Sequence, residues 1–189
     1  MARIQLDTDA YPFPMPVVMV GAMYQGRANF MPAAWVTRVT TDPPLLLIAL
    51  TKSHFTSAGI QEHGEFGLSV PSRDLVAAVD YCGLVSGRDQ DKSGLFEVFF
   101  GELPHAPMIA ACPLTIACRL ERTFDLSSEW LFIGEIAGAY ADEECLTNGQ
   151  PDPRKVDPIV LTMPDNRYWS LGEMVGAAWS IGENYAPER

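Results

Sequence analysis

The sequence predicts a mainly β protein, a barrel with a few helices. Two observations carry this. Short apolar runs are punctuated along the chain by Gly and Pro, and the longest patterned stretch, Leu114 to Tyr140, alternates with the period of two that belongs to strands. Long adjacent strands with little helix between them argue against a doubly wound parallel sheet and for a barrel or sandwich. A length of 189 residues, with 48% apolar and 20% charged, points to a single globular domain spanning 1–189.

Taken in order, Pro16 to Tyr24 reads as a buried strand ended by Gln25-Gly26. Asn29 to Thr41 reads as one further strand, with Pro32 restricting its start. In that strand Ala33, Trp35, Thr37 and Val39 would share one face, and Ala34, Val36, Arg38 and Thr40 the other. Pro44 to Thr51 is continuously apolar and is expected to be buried on both faces. Ser57 to His63 is a short helix stopped by Gly64, and Phe66 to Val70 is a strand. Ser72 to Cys82 is a helix with Ser72 as N-cap and Leu75, Val76 and Val79 on one face. In Leu114 to Leu126, Leu114, Ile116, Cys118 and Leu120 alternate with Thr115, Ala117, Arg119 and Glu121. Ser127-Ser128-Glu129 turns this strand into its return, Trp130 to Tyr140. Cys145 to Arg154 is polar and turn-rich. The tail from Arg167 to Tyr185 carries Tyr168, Trp169, Leu171, Met174, Val175 and Trp179, which need a cover from the same domain or from a second subunit.

A net charge of -11 makes nucleic acid and anionic membrane poor partners and is compatible with a basic protein partner. The N-terminus has an early acidic residue and no apolar core of signal-peptide length, and the longest apolar runs fall well short of the ~20 residues that span a bilayer, so a cytoplasmic protein is expected. Cys82, Cys112, Cys118 and Cys145 have no C-x-x-C spacing and read as reduced, mostly buried thiols. His54, His63 and His105 have no metal-ligand spacing, and no metal site is expected. The chain has no G-x-G-x-x-G, no G-K-[ST] and no G-x-S-x-G, which disfavours a Rossmann dinucleotide site, a P-loop and an α/β-hydrolase elbow. No catalytic residue stands out.

Two loops carry candidate binding chemistry. In Ala49 to Ile60 an apolar strand gives way to Lys52, Ser53, His54 and Thr56 before a helix starts near Thr56 or Ser57. Read alone, this is either a plain helix-capping loop or an anion site, with free backbone N–H groups, a positive helix end, Lys52 and His54 as donors and the hydroxyls of Ser53 and Thr56. In Tyr81 to Lys92, Gly83, Ser86 and Gly87 permit close backbone approach and Lys92 could reach a phosphate or a ring edge; the alternative is a solvated loop.

The order of pieces adds to this. V-G-A-M-Y-x-G-x-x-N-x-M-x-A-A-W-V-T, P-P-L-L-L-I-A-L, K-S-H-x-T-x-x-x-I, E-F-G-L-S-V-P and C-G-x-x-S-G-x-x-x-D-K come one after another, and together they resemble the flavoredoxin-like branch of the flavin reductase family. The resemblance covers roughly Val17 to Gly176. It implies an FMN-binding split barrel and a homodimer with FMN near the subunit interface, the segment of about 165–189 lying at that interface. It further implies that Asn29 and Met31 border the ring, that Ala33, Ala34, Trp35, Val36 and Thr37 lie along it, and that Lys52, Ser53, His54 and Thr56 hold the phosphate. Cys82, Gly83, Ser86, Gly87 and Lys92 would contact the ribityl chain, phosphate or ring edge. His54, where an arginine could equally stand, would change charge near neutrality. The implied function is an FMN-dependent oxidoreductase passing electrons from NAD(P)H or a protein donor to an acceptor. An electron carrier docking a redox partner, a non-redox flavin-binding protein and a pyridoxamine phosphate oxidase-like enzyme are the alternatives.

Overall fold

The computed structural model describes residues 2–183, 185 and 186; the last residues of the apolar tail, Asn184 and 187–189, lie outside the described residues. The strands are β1 (Met15–Pro16), β2 (Val18–Tyr24), β3 (Arg27–Ala33), β4 (Val36–Thr40), β5 (Leu45–Thr51), β6 (Glu65–Val70), β7 (Val98–Phe99), β8 (Met108–Ile109), β9 (Leu114–Asp125), β10 (Glu129–Ala141), β11 (Leu146–Thr147), β12 (Gln150–Pro151), β13 (Ile159–Thr162) and β14 (Arg167–Ser170). The α-helices are α1 (Phe55–His63), α2 (Val76–Leu84) and α3 (Pro153–Val156).

Seven strands form one antiparallel sheet in the order β3-β2-β6-β9-β10-β5-β4. Its two edges, β3 and β4, are joined by only Ala34 and Trp35. Edge strands joined by so short a link force the sheet to curl back on itself, which makes a barrel. The single strand expected over Asn29 to Thr41 is therefore two strands, because the chain must change edges within it. The expected face assignment fails for the same reason: Ala33 and Val36 both pack on the barrel core, whereas strict alternation would separate them. Trp35 at the break is already tied to the far edge, its carbonyl accepting from the Ala49 N–H at 2.9 Å.

The barrel interior holds Val18, Val20, Leu46, Ile48, Leu50, Phe66, Leu68, Cys118 and Phe132, with Ile60 of α1 packed among them. α1 sits close on β2, since a Cβ at Gly59 would lie 2.4 Å from the Met23 carbonyl oxygen. A second cluster forms outside, where Val79 and Cys82 of α2 meet Ala28 and Phe30 of β3 and Ile159 of β13. The hairpin of β2 and β3 turns on Gln25 (φ 52°) and Gly26 (φ 75°), both left-handed as a two-residue type I′ turn requires. The β9–β10 hairpin lies within a residue or so of its expected place, but both faces of β9 are covered near its start: Thr115 and Ala117 are buried beneath the segment that carries Leu103, Ala106 and Met108.

Three further expectations are corrected. On β5 only Leu46, Ile48 and Leu50 are fully buried, in the barrel interior, while Leu45, Leu47 and Ala49 on the other face are half-buried. α1 starts at Phe55 with His54 as N-cap, and neither Thr56 nor Ser57 caps it. α2 is preceded by a 3-10 turn, Arg73–Leu75, and the Ser72 side chain makes no capping bond; its backbone instead bridges to Pro158. Gly64 ends α1 as expected, left-handed with its N–H on the Ile60 carbonyl at 2.8 Å. Cys82, Cys112 and Cys118 are buried free thiols and Cys145 is half-buried; burial pushes Cys112 and Cys118 up to about 12. No described helix is long and apolar enough to cross a membrane.

Candidate functional site

The barrel break, the loop into α1 and the loop leaving α2 meet around one cavity. Its larger lobe, about 430 Å³, is lined by Asn29, Met31, Ser53, His54, Thr56, Cys82, Gly83, Ser86, Gly87 and Lys92. A smaller lobe of about 180 Å³ is lined by Met31, Ala33, Ala34 and Trp35, with Ala49, Leu50, Thr51 and Met163. Met31, Pro32 and His54 line both lobes and join them.

The polar end is built from buried groups held by one another. Asn29 is 3% exposed and its Nδ2 donates to Thr56 Oγ1 at 2.7 Å, tying β3 to the first turn of α1. Ser57 Oγ donates to the Thr51 carbonyl at 2.9 Å, closing the loop between them. Lys92 is 3% exposed, and its Nζ donates to the carbonyls of Cys82 at 2.7 Å and Phe30 at 3.0 Å. An ammonium has three donors, so one remains for the cavity that Lys92 lines. Burial holds the Lys92 pKa below its ordinary value.

Two arginines brace the loop after α2. Arg27 Nη2 donates to the Gly87 carbonyl at 2.7 Å while its guanidinium lies 5.1 Å from the centre of the Phe55 ring. Arg88 Nη2 donates to the Ser53 carbonyl at 3.1 Å. The result is a tight seam. A Cβ on Gly87 would lie 2.2 Å from Asn29 Oδ1, so only glycine lets this loop reach Asn29.

Lys52, Val36 and Thr37 are not brought to the cavity. Val36 packs on the core and Thr37 is exposed. The Lys52 ammonium pairs with Asp125 and lies 4.6 Å from the Trp130 ring centre, tying the loop to the β9–β10 hairpin instead. Lys52→Ala is therefore expected to leave anion affinity within about twofold of wild type, because an exposed pair of this kind contributes at most about 1 kcal/mol and Lys52 lines neither lobe. Equilibrium titration with FMN checks this, and a tenfold loss would bring Lys52 back to the site.

Sequence reasoning left Arg27, Phe55 and Met163 out of the site. Arg27 comes directly after a hairpin turn and reads as an ordinary surface cation, and Met163 comes from a distant loop that no local pattern links to β3. A larger hollow of about 750 Å³ lies between Thr147–Asp157 and the tail residues Leu171–Gly176. Its tail wall is exposed chain, and the buried cation and amide, Lys92 and Asn29, lie at the smaller cavity.

The profile of the family described as "Flavin reductase like domain" matches residues 10–167. The flavoredoxin of Methanosarcina acetivorans is similar in structure, with a TM-score of 0.95 and 46% identity, over 97% of this chain and 98% of that one. The flavoredoxin of Desulfovibrio vulgaris (Miyazaki F) has a TM-score of 0.87 and 34% identity, over 97% and 100%. An FMN-binding domain of a flavin reductases-like enzyme from Shewanella baltica OS155 has a TM-score of 0.74 and 27% identity, over 86% and 88%. The barrel is thus the split barrel of these proteins, and the chain belongs to the flavin reductase-like family.

Proposed function

We propose that this protein is an FMN-dependent oxidoreductase that passes electrons from a reduced nicotinamide or a protein donor to an acceptor. The observation that carries the reading is the two-lobed cavity: a polar end with a buried ammonium, joined to an apolar lobe walled by Trp35, Met31 and Met163. That division matches a ligand with a flat apolar ring at one end and a phosphate at the other. The buried Lys92 ammonium, with one donor left over and no carboxylate paired to it among the described residues, is a feature a bound anion would explain. Bound FMN would supply the redox chemistry, taking up two electrons and giving them back. Lys92 would neutralise the phosphate, Thr56 and Ser53 would orient it, and Asn29 would fix Thr56 in place. Trp35, half exposed, would cover the apolar lobe from water.

The flavoredoxin likenesses support a second reading, an electron carrier that docks a redox protein and turns over no small substrate. A visible spectrum before and after anaerobic NADH or NADPH separates the two. Prompt bleaching is the result expected of the enzyme; a yellow protein that stays oxidised points to the carrier. A colourless protein that takes up no added FMN would overturn both.

The same reading includes a homodimer. Tyr168 and Trp169 lie in β14, where Tyr168 OH donates to Asp80 at 3.1 Å and its ring packs on the outer cluster, so Tyr168 serves this subunit's own fold, while the Trp169 ring is half exposed with its Nε1 donating to Thr162 Oγ1 at 2.8 Å. The exposed Leu171, Met174, Val175, Trp179 and Ile181 are the residues that want a cover, together with the outer face of β5. Truncation from Leu171 is expected to give a folded monomer by analytical ultracentrifugation; an unchanged dimer would rule out the tail as its interface.

A further inference from the structure

The ring of His54 joins the two lobes and belongs to neither hydrogen-bond network. Any role for it in ligand binding rests on the polar end being a phosphate site. Its Nδ1 is buried and has no hydrogen-bond partner. Its Nε2 has no partner among the described residues either but is not buried, which leaves it the nitrogen able to meet a ligand.

Three features bear on its charge. An imidazolium donates from both nitrogens, and here one N–H would be buried without an acceptor. The charge nearest the ring in effect is positive: Lys92 lines the same lobe, and Arg88 from the loop after α2 bonds the neighbouring Ser53 carbonyl. Arg27 from β3, against Phe55, is offset by its pair with Asp91 at 3.5 Å. The ring itself sits at the N-cap of α1, the positive end of the helix dipole. Cys82, the titratable group of α2 at this lobe, has its pKa pushed up by burial and stays a neutral thiol. No Asp or Glu lines either lobe among the described residues. Burial, and then the Lys92 charge, hold the imidazole below its ordinary pKa.

We infer that His54 serves this cavity as a neutral donor, Nε2–H with a bare Nδ1, fixed in that tautomer through the neutral pH range rather than titrating as a cation. The consequence is a division of labour. Lys92 brings the positive charge to the polar end, and His54 adds one directional hydrogen bond from a donor that stays uncharged. An arginine at this position would instead add a second, permanent cation. This reading replaces the pH-dependent contact expected of an exposed imidazole, because burial and the Lys92 charge disfavour the charged form.

The test is nitrogen-15 NMR of histidine-labelled protein, free and with FMN, from pH 6.5 to 8.5. The expected spectrum keeps His54 in the Nε2–H form at every point, with and without FMN. In parallel, FMN dissociation constants are compared for wild type, His54→Gln and His54→Phe. Glutamine offers a neutral N–H that does not titrate, so the wild-type to His54→Gln ratio should stay constant within about twofold over this range. Phenylalanine should weaken FMN binding by about threefold to tenfold at all pH values, the effect of one neutral hydrogen bond. An imidazolium signature in either state, or a ratio that changes about tenfold per pH unit, would overturn the proposal. Failure of FMN to bind at any pH would overturn the phosphate reading, and the free-protein spectrum would still decide the tautomer.

Discussion

Phe66→Ala is expected to lower the unfolding free energy by about 3–5 kcal/mol, the range for emptying a core position of this size. Phe66 is fully buried on β6, inside the barrel with Leu68, Cys118 and Phe132. Its ring lies against β10 where that strand has no side chain: a Cβ on Gly134 would be 2.5 Å from Phe66 Cζ. The register of β9 against β10 shifts between Ile133 and Gly134 at the same place. Ring and glycine therefore occupy one shared space. Gly134→Ala should by itself cost about 1–3 kcal/mol through overpacking. Combining it with Phe66→Leu should recover part of that loss, since residues in contact couple by about 0.5–3 kcal/mol. Urea unfolding midpoints of the two single variants and the double variant measure this. Strict additivity would show that the ring does not rest on Gly134.

The contrast between the features legible in the sequence and those that were not comes from the range of the interactions involved. The β9–β10 hairpin could be read because alternation and turn residues are local signals. Gly64 could be read as a stop because a left-handed C-cap favours glycine whatever surrounds it. The break at Ala34–Trp35 could not, because no Gly, Asn or turn dipeptide marks it and only closure of the barrel demands it. At the site, residue types were readable and directions were not. Lys52 and Lys92 are both lysines in polar loops beside candidate ligands. One turns outward to Asp125 and Trp130, and the other is buried under the cavity by the carbonyls of Phe30 and Cys82. Phe30 is 62 positions from Lys92, and no pattern near either residue records the contact. The loop into α1 reads from sequence as a helix cap or an anion site, and its hydroxyls are tied into the fold in ways no local pattern records: Thr56 accepts from Asn29 and keeps its own proton to donate, and Ser57 holds the Thr51 carbonyl.

Lys92→Met should separate ligand binding from folding more cleanly than any other substitution in the cavity. In an acidic chain of net charge -11, Lys92 is the cation buried at the polar end. Its remaining donor offers a charge-assisted hydrogen bond worth about 1.5–3 kcal/mol, so its loss should weaken FMN binding by about tenfold to 150-fold. Folding responds differently because two effects oppose. Methionine leaves the carbonyls of Phe30 and Cys82 without their donor, which is destabilising. It also removes an ammonium that is held out of water with no carboxylate on it among the described residues, which is stabilising. The pH dependence distinguishes these. The folded-state pKa of Lys92 lies below its ordinary 10.5, so between the two values the unfolded chain binds the extra proton and wild-type stability rises with pH. Below the folded-state pKa the burial penalty is present in full. Wild type should therefore gain stability relative to Lys92→Met as pH climbs toward 10.5. Chemical denaturation across the alkaline range measures the difference, and FMN titration at neutral pH measures the binding loss. Equal FMN affinity in the two proteins would mean that the ammonium serves only the two carbonyls, and the polar end of the cavity would need another cation to hold a phosphate.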